Sequence, residues 1–225
     1  LKDCSLIVLA LPIKDLMNPP QELINAIPKD AILTDVGSIK KPIVNRWEEI
    51  HPLFIGSHPM AGTEKKGVES GYETLFDKAK WIITPTQKSD PNAVDILSEL
   101  IISIGCEICI ASPEEHDKAV SLISHLPIFL SSALIKTAYT NYDQSLLDLT
   151  QKLAASGFAD TSRVGSGNPQ LGLDLAFYNQ ENILNAIGDF KEKLNELESL
   201  IKDGNWESLS KKLSEAKEVR PNFIN

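Results

Sequence analysis

The sequence predicts an α/β sheet domain followed by an all-helical domain, and three observations carry that expectation. Short apolar runs alternate with helical patterns up to residue 111, a helix-capping signature stands at residues 112–115, and no convincing strand pattern follows it. Strands and helices that alternate through short connections imply a parallel sheet with right-handed crossovers.

The elements follow in order. Ser5-Leu6-Ile7-Val8-Leu9-Ala10-Leu11 is apolar without alternation, as expected of a parallel strand covered on both faces. Residues 19–27 read as a helix, 31–36 as a second strand, 39–50 as a helix and 53–56 as a third strand. Residues 81–84 and 107–111 read as further strands with a helix over 92–104 between them. In Ser112-Pro113-Glu114-Glu115 a serine N-cap, a proline at the first helical position and a glutamate at the third form a capping box. Helical patterns then cover 113–140, 142–156, 169–203 and 205–219. Asn168-Pro169 repeats the cap-then-proline signature, the 169–203 stretch is expected to break near Tyr178-Asn179, and Gly204-Asn205 is a stop and restart.

Bulk composition narrows the function classes. A chain of 225 residues can bury one large core or two modest ones, and 42% hydrophobic with 24% charged residues is ordinary for a globular protein. No apolar run approaches the roughly 18 residues of a membrane-spanning helix. The longest candidate, 122–135, is interrupted by His125, Pro127 and two serines, so no membrane partner is expected. A net charge of -9 with no Lys/Arg cluster longer than a pair argues against a nucleic-acid partner. Leu1-Lys2-Asp3-Cys4-Ser5 leads almost at once into a strand and does not read as a signal peptide. The three cysteines suit a reducing cytoplasm. Cys106 and Cys109 form a C-x-x-C inside a strand pattern, where residues three apart face opposite sides, so neither a redox pair nor a metal site is expected.

Open α/β sheets bind ligands beyond the carboxyl ends of their strands. Three segments here hold that position: Pro12-Ile13, Gly37-Ser38 and the loop His58-Pro59-Met60-Ala61-Gly62-Thr63-Glu64. A histidine at such an edge can serve as a general base, because its unperturbed pKa lies near working pH. Ser38, at a neighbouring strand end, is expected to hydrogen-bond the His58 ring, and Glu64 lies on the same loop. Blander readings stand beside these. Arg163 could cap a surface helix, His125 could be a satisfied core histidine, and Glu64 could pair with Lys65 or Lys66. Gly165-Ser166-Gly167, with no strand before it, reads as a flexible lead into the Asn168-Pro169 cap.

Gly56-Ser57-His58-Pro59-Met60-Ala61-Gly62-Thr63-Glu64-Lys65-Lys66-Gly67 resembles the signature of the prephenate and arogenate dehydrogenases. Asp35-Val36-Gly37-Ser38-Ile39-Lys40, Ser124-His125-Leu126-Pro127 and Gly157-Phe158-Ala159-Asp160-Thr161-Ser162-Arg163 resemble further motifs of that family, in the family's order and across essentially the whole chain. The resemblance implies a partial Rossmann-type parallel-sheet domain over 1–111 and an all-helical substrate and dimerisation domain over 112–225. It implies NAD(P)-dependent oxidative decarboxylation of arogenate or prephenate, with NADP slightly preferred over NAD as cofactor, and a cytoplasmic homodimer joined through the helical domain.

By the same resemblance His58 takes the proton of the substrate's ring hydroxyl, and Ser38 orients His58 beside the cofactor. Arg163 holds a substrate carboxylate, for which its planar fork suits it. Thr63 and Glu64 shape or gate the site, His125 completes the wall, and Pro12, Ile13, Gly37 and Ser38 touch the cofactor. No metal is required, since donor, acceptor and base need only be positioned.

The sequence departs from the family pattern in two places. The G-x-G-x-x-G turn and the acidic residue about 20 positions later are absent, so the chain is expected to begin at the fourth strand of the nucleotide-binding sheet and to bind NAD(P) weakly. Ile128 stands where many prephenate-using members carry a second histidine, and Gly172 where other members carry tryptophan, which favours arogenate. Two rivals remain. A β-hydroxyacid dehydrogenase would lack the His58 loop, whereas a non-catalytic dimerising remnant would explain the missing glycine turn.

Overall fold

Five strands form one sheet in the order β1-β2-β3-β4-β5 in the computed structural model of the chain, which describes residues 1–62, 67, 69, 71–140 and 143–224. They are β1 (Leu6–Leu9), β2 (Ile32–Asp35), β3 (Phe54–Pro59), β4 (Lys80–Thr84) and β5 (Glu107–Ile110). β1, β2 and β3 run parallel, whereas β4 is antiparallel to β3 and β5 is parallel to β4. The sheet is thus mostly parallel, with one reversal that the strand-helix alternation does not predict. A parallel return needs a crossover, usually helical. Among the described residues between β3 and β4 there is no α-helix, and the chain comes back antiparallel.

Both faces of the sheet are covered at the central strands β2 and β3, whereas the edge strands β1 and β5 are partly exposed. On one face α1 (Ile13–Met17), α2 (Gln21–Ala26) and α3 (Lys41–Glu48) flank a core of Ile7, Leu9, Leu16, Leu33, Val44, Trp47 and Phe54. Trp47 fills its centre and donates its indole N–H to the Leu16 carbonyl at 2.8 Å. On the other face α4 (Pro91–Ser103) sets Ala93, Leu97 and Ile101, spaced one helical turn apart, against Ile32, Ile55, Trp81 and Ile83. Asp90 caps α4 by accepting from Ala93 N–H at 2.9 Å. Cys106 is buried and Cys109 exposed, as opposite faces of β5 require.

After β5 the described residues are helical. The expected capping box is present: Ser112 accepts from Glu115 N–H and the Glu115 carboxylate accepts from Ser112 N–H. It starts a continuous helical rod of α5 (Pro113–Val120), a π-helical turn (Ser121–His125) and α6 (Leu126–Tyr139). Pro127 has no N–H to continue the α-helical ladder, which accounts for the irregular turn just ahead of it. The rod Pro113–Tyr139 has 27 residues and a window of mean hydropathy 1.5, so by length and composition it is apolar enough to cross a membrane. This corrects the expectation that no stretch approaches that length, because serines and a histidine interrupt an apolar run without interrupting a helix. Only 28% of that window is buried within the chain.

α7 (Gln144–Leu153), α8 (Ser156–Ser162), a 3-10 turn (Arg163–Ser166), α9 (Pro169–Tyr178), α10 (Gln180–Lys202) and α11 (Trp206–Val219) complete the chain. Gly165 corrects a second expectation, since it is a packing residue and not a flexible lead. A Cβ there would lie 2.5 Å from the Ser132 nitrogen, so only glycine lets the 3-10 turn approach α6 this closely. The break expected at Tyr178-Asn179 falls between α9 and α10.

By their contacts the residues form two compact units, Leu1–Ile183 and Leu184–Asn225. The second is a helical hairpin. Gly204, at φ +63°, stops α10, and the Asn205 side chain accepts from Ser208 N–H at 3.1 Å to start α11. Along α10, Ile183 is buried, whereas Leu194 and Ile201 are more than half exposed.

Candidate active site

Strand register brings the expected loops together. Leu9 pairs with Asp35, so β1 and β2 end level and Pro12 and Ser38 leave the sheet side by side. Thr34 pairs with Ile55, and continuing that register sets His58 level with Gly37. His58 is therefore inside β3, paired with Ile82 of β4, and not in a loop after a strand ending at residue 56. The sheet itself therefore fixes its position.

Beneath His58 lies a buried network. Lys40, with no exposed surface, donates to the Asp35 carboxylate and to the Ser57 carbonyl at 2.7 Å. Asp35 also accepts from Gly37 N–H at 2.8 Å and Ser57 N–H at 3.3 Å. Burial raises the Asp35 pKa and lowers that of Lys40, and their mutual attraction opposes both shifts. This carboxylate accounts for Gly37, where a Cβ would meet Asp35 Oδ2 at 2.8 Å.

The hydrogen bond of the His58 ring corrects one expectation. Its Nδ1 lies 2.9 Å from His116 Nε2, and its partner is thus His116, not Ser38. The physical reason is the capping box, which starts α5 so that its first turn brings His116 to the His58 ring. His116 Nδ1 in turn lies 2.8 Å from Asp117 Oδ1. Asp117 accepts from Lys40 N–H at 2.6 Å and Lys41 N–H at 2.9 Å. Burial, with the positive potential of His116, Lys40 and His125, lowers the His58 pKa to about 2. The ring is neutral throughout the working pH range.

His125 is fully buried on the π turn. Its Nδ1 faces the Asn179 amide nitrogen at 3.3 Å, and that amide also donates to the Asp117 carbonyl at 2.9 Å. With Nδ1 as acceptor, the proton of the neutral ring sits on Nε2, which completes no hydrogen bond of normal geometry among the described residues. Burial lowers the His125 pKa to about 4, although Asp117 and the backbone of Ser38 favour its charged form.

The remaining expected residues divide. Ser38 is half-buried and Pro12 exposed at the strand ends, whereas Ile13 is 5% exposed and turned into the core, so its side chain does not face a ligand. Arg163 is exposed at the first position of the 3-10 turn that Gly165 presses onto α6. Thr63 and Glu64 lie outside the described residues. His116, Asp117 and Asn179 were not singled out from the sequence. The signal was an adjacent His-Asp pair one turn after a capping box, on the helix that follows the last strand. No group of three or more His, Cys, Asp or Glu able to hold a metal occurs among the described residues.

The edge this chain provides carries groups that could receive a nicotinamide dinucleotide. Pro12 offers an exposed apolar ledge, and Ser38 offers a half-buried hydroxyl beside it at the ends of adjacent parallel strands.

Comparison with known proteins agrees with this architecture. The family model for the prephenate dehydrogenase nucleotide-binding domain matches residues 1–110, and that for the prephenate dehydrogenase dimerization domain matches residues 112–215. The prephenate dehydrogenase of Bacillus subtilis is 31% identical over 97% of this chain. The chain spans 60% of that relative's length. The crystal structure of Synechocystis arogenate dehydrogenase is 37% identical, with a TM-score of 0.85 over 99% of this chain and 80% of that one. That of Aquifex aeolicus prephenate dehydrogenase in complex with hydroxyphenyl propionate and NAD+ is 33% identical, with a TM-score of 0.91 over 97% of this chain and 76% of that one.

Proposed function

We propose that this chain, which belongs to the prephenate dehydrogenase family, carries the catalytic half of a cytoplasmic NAD(P)-dependent dehydrogenase that converts arogenate, or prephenate, to its aromatic product with loss of carbon dioxide. The observation that carries this reading is a neutral histidine fixed within a strand at the ligand-binding edge of the sheet. His58 presents Nε2 as a proton acceptor because its other nitrogen is engaged by His116. A bound dinucleotide, NADP being our first choice, would supply the hydride acceptor for the ring carbon that bears the hydroxyl. As the carbonyl forms, His58 takes the hydroxyl proton. It returns that proton when the electron pair of the departing carboxylate makes the ring aromatic.

His125 offers the complement, a buried N–H that completes no hydrogen bond of normal geometry among the described residues, which suits a ligand oxygen. Arg163 is the proposed partner of a substrate carboxylate, Thr63 and Glu64 of the substrate, and Ser38, Gly37 and Pro12 of the cofactor. The contribution of Ile13 would be through its backbone. Arogenate is favoured because residue 128 is an apolar isoleucine whose Cγ2 would lie 3.8 Å from a Cβ at Gly172, so both substitutions that distinguish this chain occupy one place. We further propose a helical portion from residue 112 that joins two copies of the chain. Its apolar exposed side chains include Leu149, Leu153, Leu173 and Phe177.

Reduction of NAD and NADP with each substrate tests the reading. It would be measured on this chain and on a longer form that supplies a glycine-rich dinucleotide turn. We expect turnover in the longer form at least, higher kcat/KM for arogenate, and a loss of about 100-fold or more in kcat for His58→Asn. A folded longer form with no turnover on either substrate would leave the non-catalytic remnant as the better reading.

A further inference from the structure

We propose that His116 and Asp117 are positioning residues that set the tautomer of His58 and share the proton it receives. This rests on the reading of His58 as the proton acceptor. Asp117 anchors this chain of hydrogen bonds. Its carboxylate accepts from the backbone N–H of Lys40 at 2.6 Å and of Lys41 at 2.9 Å, so it is held as an acceptor and not as a rotating group. At 2.8 Å from such a carboxylate, His116 Nδ1 is the protonated nitrogen of its ring. His116 Nε2 is then a bare lone pair, and the His58 Nδ1 that lies 2.9 Å from it must donate. That leaves Nε2 of His58 unprotonated, which is the tautomer a proton acceptor needs.

Every donor in this chain meets an acceptor, and reversing one ring would set two lone pairs or two protons face to face. The opposite assignment would also place a lone pair of His116 against the Asp117 carboxylate. Asn179 steadies the arrangement from the far side, because its amide donates to the Asp117 carbonyl at 2.9 Å.

The proton movement balances. As hydride leaves the substrate for the nicotinamide dinucleotide, the O–H bond pair becomes part of the new carbonyl and the proton joins His58 Nε2. The His58 Nδ1 proton can then pass to His116 Nε2, placing the positive charge one ring nearer to Asp117. Both shifts reverse when the ring becomes aromatic and its oxygen recovers the proton.

The test is nitrogen NMR of the chain labelled with 15N-histidine, in which the four histidines are assigned through single variants. We expect His58 and His116 each to carry the proton on Nδ1 with Nε2 bare. In His116→Gln the amide oxygen still accepts from His58, so the tautomer is kept. In His116→Phe it is not, and His58 becomes a mixture. In a form competent for turnover, His116→Phe is expected to lower kcat about 100-fold with KM changed less than about threefold, and His116→Gln to recover most of it.

Wild-type His58 protonated at Nε2, or one tautomer in all three proteins, would overturn the proposal. So would a His116→Phe variant that raises KM and leaves kcat alone. The expected tautomers in a protein that turns over neither substrate would support the positioning and reject the enzymatic reading, so the two can fail separately.

Discussion

Two buried polar networks meet at residue 40, and they are built to opposite ends. In the first, Asp35, Lys40, Ser57 and Thr34 hydrogen-bond one another, and each of these side chains has a partner. In the second, His58, His116, Asp117, Asn179 and His125 are joined just as closely, yet the buried Nε2 of His125 completes no hydrogen bond of normal geometry among the described residues. A closed network is an internal support. One that leaves a buried donor over has capacity for a ligand, since burying an unsatisfied polar group costs about 1–3 kcal/mol unless a ligand supplies the missing bond. Burial alone would not have separated the two.

The closed network is the more sensitive of the two to substitution. Lys40→Met removes the counter-charge of a fully buried carboxylate and should destabilise the fold by about 3–5 kcal/mol in urea unfolding. Combining it with Asp35→Asn, which removes the charge and keeps an oxygen for Gly37 and Ser57, should recover more than half of that. Equal loss in both variants would mean that the pair's charge is not what matters.

Acid separates the networks next. His58 and His125 have folded pKa values of about 2 and about 4, below the unfolded value of 6.5. Below about pH 6.5 the unfolded chain therefore binds protons that the folded chain excludes, and stability falls as pH falls. Each histidine contributes a slope of at most about 1.4 kcal/mol per pH unit, ending near pH 4 for His125 and near pH 2 for His58. Unfolding measured from pH 7.5 to 5 should show this slope in the wild type and about half of it in His125→Phe. A flat profile would contradict the neutral, desolvated rings.

The smallest effect sharpens the contrast. Ser57→Ala removes two links of the closed network, the 2.8 Å bond to the Asp35 carbonyl and the 2.9 Å bond accepted from Thr34, and should cost about 1–2 kcal/mol of stability. Substrate KM should not change, because Ser57 faces no ligand. A shift in KM without loss of stability would place Ser57 in the other network.

Much of this was legible in the sequence because it is local. Strand runs, the Ser112 capping box, the Gly204 stop and the break at Asn179 each depend on residues within one or two turns of one another. His58 and Ser38 were legible as strand-end residues beside recognisable motifs. What was hidden depends on pairing across the chain. The His58–His116 bond joins residues 58 positions apart, and nothing in the pattern around either one announces the other. The reversal of β4 was hidden for the same reason, since strand direction depends on what fills the connection. Gly165 shows a further limit. Its neighbours read as loop-like, and only the proximity of Ser131 and Ser132 reveals why nothing larger than glycine fits there.

The π turn at Ser121–His125 has a consequence for how this rod tolerates change. It acts as a phase adjuster: the extra residue it absorbs sets the angular offset between the half of the rod that carries His116 and the half that carries Ser131. Substitutions on the exposed side of that turn, at Leu122 or Ile123, leave the offset alone, whereas deleting a single residue there would restore an ordinary helix and rotate everything downstream by roughly a quarter turn. Insertions and deletions in this segment should therefore be far less tolerated than replacements.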